Sequence, residues 1–192
     1  MGGVTIDETR SGRPRDPSRD EAILGAARDL LGEVGYEQVT VRAIAQRAGA
    51  GLATLYRRWP TKEDLVVDAI ASMPELPDLP DPAADPVEGL VELVSGLLDV
   101  LQGRRRELIP TVIGQLPRNP ALAEALRDRV VLPRLAAVSE RLAAVPGVDP
   151  GRVGAAAELV PASVVFQVLV LGRRLTDDDV RRVVETAISA AR

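Results

Sequence analysis

The residues from Thr40 to Lys62 constrain the fold more than any other stretch, because they predict two short helices joined by a tight turn. Thr40 is a suitable N-cap residue, since its hydroxyl can accept a hydrogen bond from a free backbone N–H of the first turn. Apolar residues then recur at helical spacing as far as Ala48, and Gly49-Ala50-Gly51 ends this helix and allows a sharp turn. A second helix is predicted from Leu52 to Arg58. This arrangement is the helix-turn-helix pattern.

Charge distinguishes this stretch from the rest of the chain. Between Gln38 and Lys62 every charged side chain is basic, whereas the 192-residue chain carries a net charge of −4. A surface that is merely solvated usually mixes both signs, so that alternative is less favoured. A positive region suits nucleic acid, whose phosphates attract basic side chains. The basic residues are Arg42, Arg47, Arg57, Arg58 and Lys62.

The same residues resemble a known family. The run TVRAIAQRAGAGLATLYRRWPTKEDL is similar to the DNA-binding signature of the TetR family of transcriptional repressors. The matching positions are Thr40, Arg42, Ile44, Ala45, Ala48, Gly49, Leu55, Tyr56, Trp59 and Lys62. Arg57-Arg58 replaces the family's commoner aromatic–His pair, and Gly51 lies close to where the family often has Ser. The resemblance is specific from about Ser18 to Ile70 and architectural beyond it.

The resemblance implies a homodimer that binds an inverted-repeat operator in double-stranded DNA and acts as a repressor released by a small ligand. A ligand-independent DNA-binding regulator is the alternative. An enzyme using a cavity in the C-terminal half is a third class. The chain has no Cys and no His, which excludes thiol catalysis, His-dependent triads and the usual zinc sites. We therefore expect neither catalysis nor a cofactor.

Two sets of DNA contacts are expected. Phosphate contacts are assigned to Thr40, Arg42, Tyr56 and Lys62, the last of which lies in the first turn of a helix, where the dipole favours an anion. Base contacts are assigned to Arg42, Thr54, Arg57 and Arg58. Arg13 and Arg15 belong to an N-terminal arm that either enters the minor groove or is simply a charged, flexible terminus. Tyr36 is expected to pack at a corner of the fold.

The chain as a whole is predicted to be all-α. We expect a flexible arm at residues 1–17, a three-helix DNA-binding domain with a connecting fourth helix at 18–73, a Pro-rich linker at 74–86, and a larger helical ligand-binding and dimerisation domain at 87–192. Gly35 should end the first helix, and Thr61 with Asp64 should cap the fourth. Later helices are predicted from Asp85-Pro86, across Arg104 to Gln115 with an interruption at Pro110, from Asn119-Pro120 with a kink at Pro133, from Asp149-Pro150, and from Thr176. The acidic residues in the first turn of the last helix are better explained by the helix dipole than by a metal site.

The stretch from Leu159 to Leu171 is apolar on nearly every helical face. Because it is short and contains Pro161 and Gln167, we expect it to be buried by its own core and a second subunit rather than by a bilayer. The resemblance implies that the last two helices form the dimer interface and that other helices enclose a ligand pocket. With no signal peptide in the sequence, a cytoplasmic location is expected. Candidate ligand contacts for a largely apolar effector are Met73, Thr111, Gln115, Ser163, Phe166 and Gln167. For the four polar residues, helix capping or simple exposure to solvent is an equal alternative.

Overall fold

The computed structural model describes residues 17–76 and 85–192, and within these ranges the chain is helical with no strand, as predicted. The helices are α1 (Pro17–Gln38), α2 (Val41–Arg47), α3 (Leu52–Arg58), α4 (Lys62–Ala71), α5 (Pro86–Gln102), α6 (Leu108–Ile113), α7 (Pro120–Leu126), α8 (Leu132–Ala144), α9 (Val153–Val165) and α10 (Asp177–Ala190). π-Helical segments occupy Arg127–Val131 and Phe166–Val170. Arg13, Arg15 and linker residues 77–84 lie outside the described residues.

Local capping signals account for several helix ends. Gly35 interrupts α1 with φ of 76° and ψ of 166°, so the helical run predicted to end there does so. At α4, Thr61 Oγ1 accepts from the Asp64 N–H at 3.1 Å, and Asp64 Oδ2 accepts from the Thr61 N–H at 3.3 Å. Thr176 and Asp179 form the same capping box at α10. Hydrogen bonds from the Thr176 N–H and the Arg182 guanidinium lower the pKa of Asp179 to about 2.

Three predictions about later helices need correction. The helix expected from Arg104 begins only at Leu108, because the residues before it form turns. It is not interrupted at Pro110, because that residue lies in the first turn, where a backbone N–H has no helical partner to lose. The helix expected from Asp149 begins at Val153, because Asp149 Oδ1 accepts from the Gly151 N–H at 2.9 Å and closes a turn. At the kink predicted for Pro133, a π-helical segment ends at Val131, two residues before the proline. Proline lacks an N–H and crowds the carbonyl four residues back, and the wider turn relieves both effects.

Two apolar clusters organise the packing. The first cluster contains residues of helices α1, α2, α3 and α4. It also contains residues that follow the predicted linker, among them Leu108, Val112 and Leu122. The second joins α5, α8, α9 and α10. Helices α1 and α7 both pack against α4, and α6 packs against α1. The helix-turn-helix is therefore supported from behind by helices of the second half of the chain.

The turn between α2 and α3 provides a stability prediction. Gly49 has φ of 60°, its N–H donates to Gln46 O at 3.3 Å, and the Ala50 N–H donates to Ala45 O at 2.9 Å, which is a Schellman motif. A Cβ at Gly49 would meet no atom within 4 Å. Gly49→Ala should therefore lower the free energy of unfolding by about 1–2 kcal/mol through backbone strain alone.

The matched control is Gly25→Ala within α1, where the backbone is helical and the nearest atom to a new Cβ is Arg28 Nη2 at 3.8 Å. This change should raise the free energy of unfolding by roughly 0.5–1 kcal/mol. Urea unfolding followed by circular dichroism measures both variants. Equal stability of Gly49→Ala and the wild type would show that the turn does not require the left-handed conformation.

Candidate nucleic-acid interface

Helices α2 and α3 each bury one face and expose the other. Val41, Ile44 and Ala45 of α2 and Leu55 of α3 are buried in the first cluster. The opposite faces expose Arg42, Tyr56 and Arg57, and the Tyr56 side chain is 50% accessible. The two helices therefore present a polar and basic surface, and their buried apolar residues hold that surface in place on the first cluster.

The predicted contact residues near this surface differ in exposure. Thr40 is exposed at the N-cap of α2, where its hydroxyl accepts from the Ala43 N–H at 3.1 Å. A hydroxyl that accepts one bond can still donate another, so Thr40 can also donate to a phosphate. Thr54 and Lys62 are half-buried. Seven predicted DNA-contacting residues lie on α2, α3 or their flanks: Thr40, Arg42, Thr54, Tyr56, Arg57, Arg58 and Lys62.

The arginines of this region fall into two groups. Arg58 forms an ion pair with Asp20 of α1 and is only 20% exposed, and Arg47 Nη1 lies 2.6 Å from Glu33 Oε1. The hydrogen bond from Arg47 lowers the pKa of Glu33. Within the described part of the chain, Arg42 and Arg57 have no acidic partner at ion-pair distance. These two guanidinium groups remain available for an external anion.

Lys62 is held against the C-terminal end of α1. Its Nζ donates to Tyr36 O at 2.5 Å and lies 4.1 Å from the centroid of the Tyr36 ring. Burial lowers the pKa of the Lys62 ammonium, against the attraction of Glu63 and Glu37. Tyr36 is 5% exposed and belongs to the first apolar cluster, so it packs inside the fold, as expected. The ammonium group is thus fixed at the N-terminus of α4.

A polar cluster beside Lys62 connects the two halves of the chain. The Tyr36 hydroxyl donates to Glu63 Oε1 at 2.6 Å, and Asn119 Nδ2 donates to the same oxygen at 2.8 Å and to the Tyr36 hydroxyl at 3.0 Å. Burial and the bond to Glu63 raise the pKa of Tyr36 well above its usual range. Burial alone would raise the pKa of Glu63, but the bonds from Tyr36 and Asn119 outweigh it and lower that pKa.

Sequence reasoning did not identify this cluster or the neighbouring ion pairs. Arg129, in the π-helical segment after α7, pairs with Asp64 at 3.0 Å and also with Asp68 of α4. Trp59 Nε1 donates to Asp68 Oδ2 at 2.7 Å. The only signal available in the sequence was Asn119 as an N-cap residue, which predicts a helix start and says nothing about a distant partner.

The predicted ligand contacts occupy different parts of the molecule. Met73 is buried in the first cluster, and Thr111 lies on α6, with Gln115 just beyond it. Ser163 and Gln167 line an open groove of about 400 Å³ that also includes Val183 and Thr186 of α10. Neither Met73, Thr111 nor Gln115 contributes to that groove, and Phe166 is exposed but does not line it either. The structure therefore brings only Ser163 and Gln167 together in one depression.

Large apolar side chains are exposed along α9, the π-helical segment that follows it and the next residue: Leu159, Phe166, Val170 and Leu171. Leu159 also lines the groove, together with polar residues that include Asp179 and Arg182. The continuous helical stretch Val153–Val170 has 18 residues, more than the short stretch seen in the sequence, and by length and composition alone it is sufficient to cross a membrane. The inner side of the same stretch, including Val160 and Val164, is buried in the second cluster of this chain. One side of this helical stretch is therefore packed in the core of its own chain, and the other side is exposed.

Comparison with known proteins identifies related sequences over most of the chain. The family model for bacterial regulatory proteins of the tetR family matches residues 23–69, and the model for the tetracyclin repressor-like C-terminal domain matches residues 76–187. The HTH-type transcriptional regulator Rv1556 of Mycobacterium tuberculosis is 32% identical over 92% of this chain and 91% of its own length.

Similar proteins include a named repressor and a protein solved with a bound ligand. The HTH-type transcriptional repressor KstR of Rhodococcus jostii is 28% identical over 73% of this chain and 60% of its own. The crystal structure of the multidrug binding protein EbrR complexed with imidazole is 26% identical, with a TM-score of 0.61 over 95% of this chain and 97% of that one. These similarities extend through both the helix-turn-helix half and the second half.

Proposed function

Because this chain belongs to the TetR family of bacterial regulatory proteins, we propose that it is a transcriptional repressor that binds an inverted-repeat operator as a homodimer and is released by a small, largely apolar ligand. Members of the family are DNA-binding transcriptional regulators and not enzymes, as expected. The observation that carries the proposal is the exposed face of α2 and α3, which presents Arg42, Tyr56 and Arg57, the two arginines without acidic partners among the described residues. The similarity to the repressor KstR supports repression rather than activation.

The proposed contacts follow from the exposure of each side chain. Thr40, Tyr56 and Lys62 anchor phosphates, which sets the orientation of α3 on the duplex. Arg42, Thr54 and Arg57 read base edges, with Arg42 also within reach of the backbone. Arg58 can contact a base only if its ion pair with Asp20 breaks. Its first role is therefore to hold α3 on α1. Arg13 and Arg15 remain candidates for the minor groove.

A genome-wide map of bound sites tests the proposal directly. The strongest sites should contain an inverted repeat whose half-sites are separated by about a whole number of helical turns, because a two-fold dimer presents two copies of α3 to one face of the duplex. Purified protein should bind a duplex taken from such a site more tightly than the same duplex with scrambled half-sites. Equal binding to both duplexes would contradict sequence-specific regulation.

Lys62→Ala should weaken binding to every DNA sequence, because an ammonium group on a phosphate carries no sequence information. The slope of log K against log salt should fall in magnitude by about 0.9 per subunit, or about 1.8 for a dimer on its operator. Titrations by fluorescence anisotropy at several salt concentrations measure the slope. The control is Arg152→Ala, which removes an exposed charge in the turn before α9 and should leave the slope unchanged. An unaltered slope in Lys62→Ala would remove Lys62 from the interface.

We propose that the apolar surface of α9, the following π-helical segment and α10 is covered by a second copy of the chain. Four large apolar side chains are exposed there, and apolar patches of this kind mark interaction sites. The inner side of the same helix is already buried in its own core, so a second subunit completes its burial without a bilayer. We therefore propose a cytoplasmic location, where the operator lies.

Release by a ligand is proposed from the position of α4. This helix begins at Lys62, beside the DNA-binding surface, and is followed by buried Met73, so displacement at its far end alters the placement of α3. Thr111, Gln115, Ser163, Phe166 and Gln167 remain the candidate ligand contacts. The groove holding Ser163 and Gln167 adjoins the proposed subunit interface, whereas Thr111 and Gln115 lie at α6, which packs on α1.

Reciprocity provides the test of ligand release. A small apolar compound selected by thermal shift should bind the free protein more tightly than the protein–operator complex, and operator should bind the ligand-loaded protein more weakly by the same factor. A coupling of about 1–3 kcal/mol corresponds to a difference of roughly 5- to 150-fold. Isothermal titration with and without operator measures it. Equal affinities for every such compound would favour the ligand-independent regulator.

A further inference from the structure

We infer that Asn119, in the second half of the chain, is a positioning residue for DNA binding. It holds Glu63 and Tyr36 in place, and through them the ammonium group of Lys62. The inference rests on the proposed function, in which Lys62 anchors a phosphate. Asn119, which is distant from α3 in the sequence, then belongs to the residues that determine affinity for the operator.

The amide of Asn119 is fixed from both sides. Its Oδ1 accepts from the Leu122 N–H at 3.0 Å as the N-cap of α7, so its Nδ2 must face the opposite way. There Nδ2 donates to Glu63 Oε1 at 2.8 Å and to the Tyr36 hydroxyl at 3.0 Å. Helix α7 packs on α4, and Arg129 adds ion pairs from the adjoining segment to the same helix. The start of α7 is therefore fastened to the start of α4.

Tyr36 contacts both Asn119 and Lys62, so fixing Tyr36 also fixes the Lys62 ammonium group. Its hydroxyl completes a triangle of hydrogen bonds with Asn119 and Glu63, and its ring is almost completely buried. The face of that ring lies 4.1 Å from Lys62 Nζ, and the Tyr36 carbonyl accepts from the same ammonium at 2.5 Å. A lysine side chain has several rotatable bonds, and ordering it in advance reduces the entropy lost when it meets a phosphate.

The N–H donors of Asn119 affect Lys62 through the carboxylate of Glu63. This carboxylate follows Lys62 directly in the chain and attracts the ammonium group. Tyr36 and Asn119 satisfy the same oxygen of this carboxylate, Oε1. Without the Asn119 donors, the carboxylate competes more strongly with a phosphate for Lys62. Asn119 thus both orders Lys62 and keeps it available.

The test uses Asn119→Ser, which retains a good N-cap residue for α7 but removes both N–H donors. Binding to a duplex from the strongest site in the genome-wide map should weaken about 2- to 10-fold, the range expected when one side chain loses its preorganisation. In a Lys62→Ala background the same substitution should have no further effect, because the group being positioned is gone. The control is Asp85→Ser at the N-cap of α5, outside the cluster, which should leave operator affinity unchanged.

A direct readout is available because Lys62 is the only lysine in the chain. Protein labelled with ¹⁵N-lysine should give a single side-chain ammonium signal, which should shift or broaden in Asn119→Ser. Tyr36→Phe, which retains the ring and the carbonyl but loses the hydroxyl, should reproduce the loss of affinity and serves if Asn119→Ser does not fold.

Two results overturn the inference. One is wild-type affinity in both Asn119→Ser and Tyr36→Phe. The other is an equal loss with and without Lys62, which would indicate a general structural effect. Failure of the wild-type protein to prefer its mapped site over a scrambled duplex would instead overturn the proposed function.

Discussion

Phe166→Asp is expected to convert the dimer into a monomer and to weaken operator binding by about 100-fold or more. Phe166 is 52% exposed in a single chain, so the substitution leaves the core of that chain intact. In the proposed dimer the new carboxylate is buried against apolar residues of a second subunit, where an unpaired charge is costly. A monomer contacts only one half-site. It therefore loses much of the ratio of specific to non-specific affinity, which is typically about 10³-fold or more.

Sedimentation and fluorescence anisotropy measure the mass and the affinity of this variant. The matched control is Val131→Asp, which places the same charge at an apolar residue of similar exposure, 48%, on the segment between α7 and α8. This control should remain dimeric and bind the operator normally. A Phe166→Asp protein that stays dimeric at micromolar concentration would exclude the proposed interface.

Arg57→Ala is expected to have the second large effect, on both affinity and sequence preference. A bidentate contact between arginine and a base contributes about 1–3 kcal/mol of discrimination. Two subunits make the contact twice, so operator binding should weaken by about 2–6 kcal/mol, or roughly 30-fold to 10⁴-fold. Preference should relax at one symmetric pair of positions and remain elsewhere. Selection from a randomised operator library identifies those positions.

Arg47→Ala is the matched control for Arg57→Ala. It removes the same side chain from the same helix-turn-helix, but from a guanidinium that is paired with Glu33. Its effect should be small and uniform across sequences, because it does not face the bases. If Arg42, Arg57 and Arg58 can all be replaced by Ala without a change in preference, these arginines do not read the operator and indirect readout must be considered instead.

The local structure of the DNA-binding region was accessible from sequence because its signals are short-range. Thr40 and Thr61 act as N-caps, and Gly49 adopts the left-handed conformation at the turn. A cap or a glycine turn involves residues within about six positions, and the chemistry of those residues decides it. The same reasoning was less accurate at Asp149, where a turn and a helix start share the same residue types and differ only in which N–H groups the carboxylate meets.

What the sequence determined by itself is the all-α class, the helix-turn-helix and the basic character of residues 38–62, since periodicity, capping and charge are properties of neighbouring residues. Only the tertiary structure decided which cations face outward: Arg58 turns to Asp20, whereas Arg57 does not. It also joined Asn119 to Glu63 and Tyr36, which are 56 and 83 positions away in the chain. Such contacts depend on how α7 packs on α4, and packing is settled by the whole core, because no local pattern specifies a partner so distant.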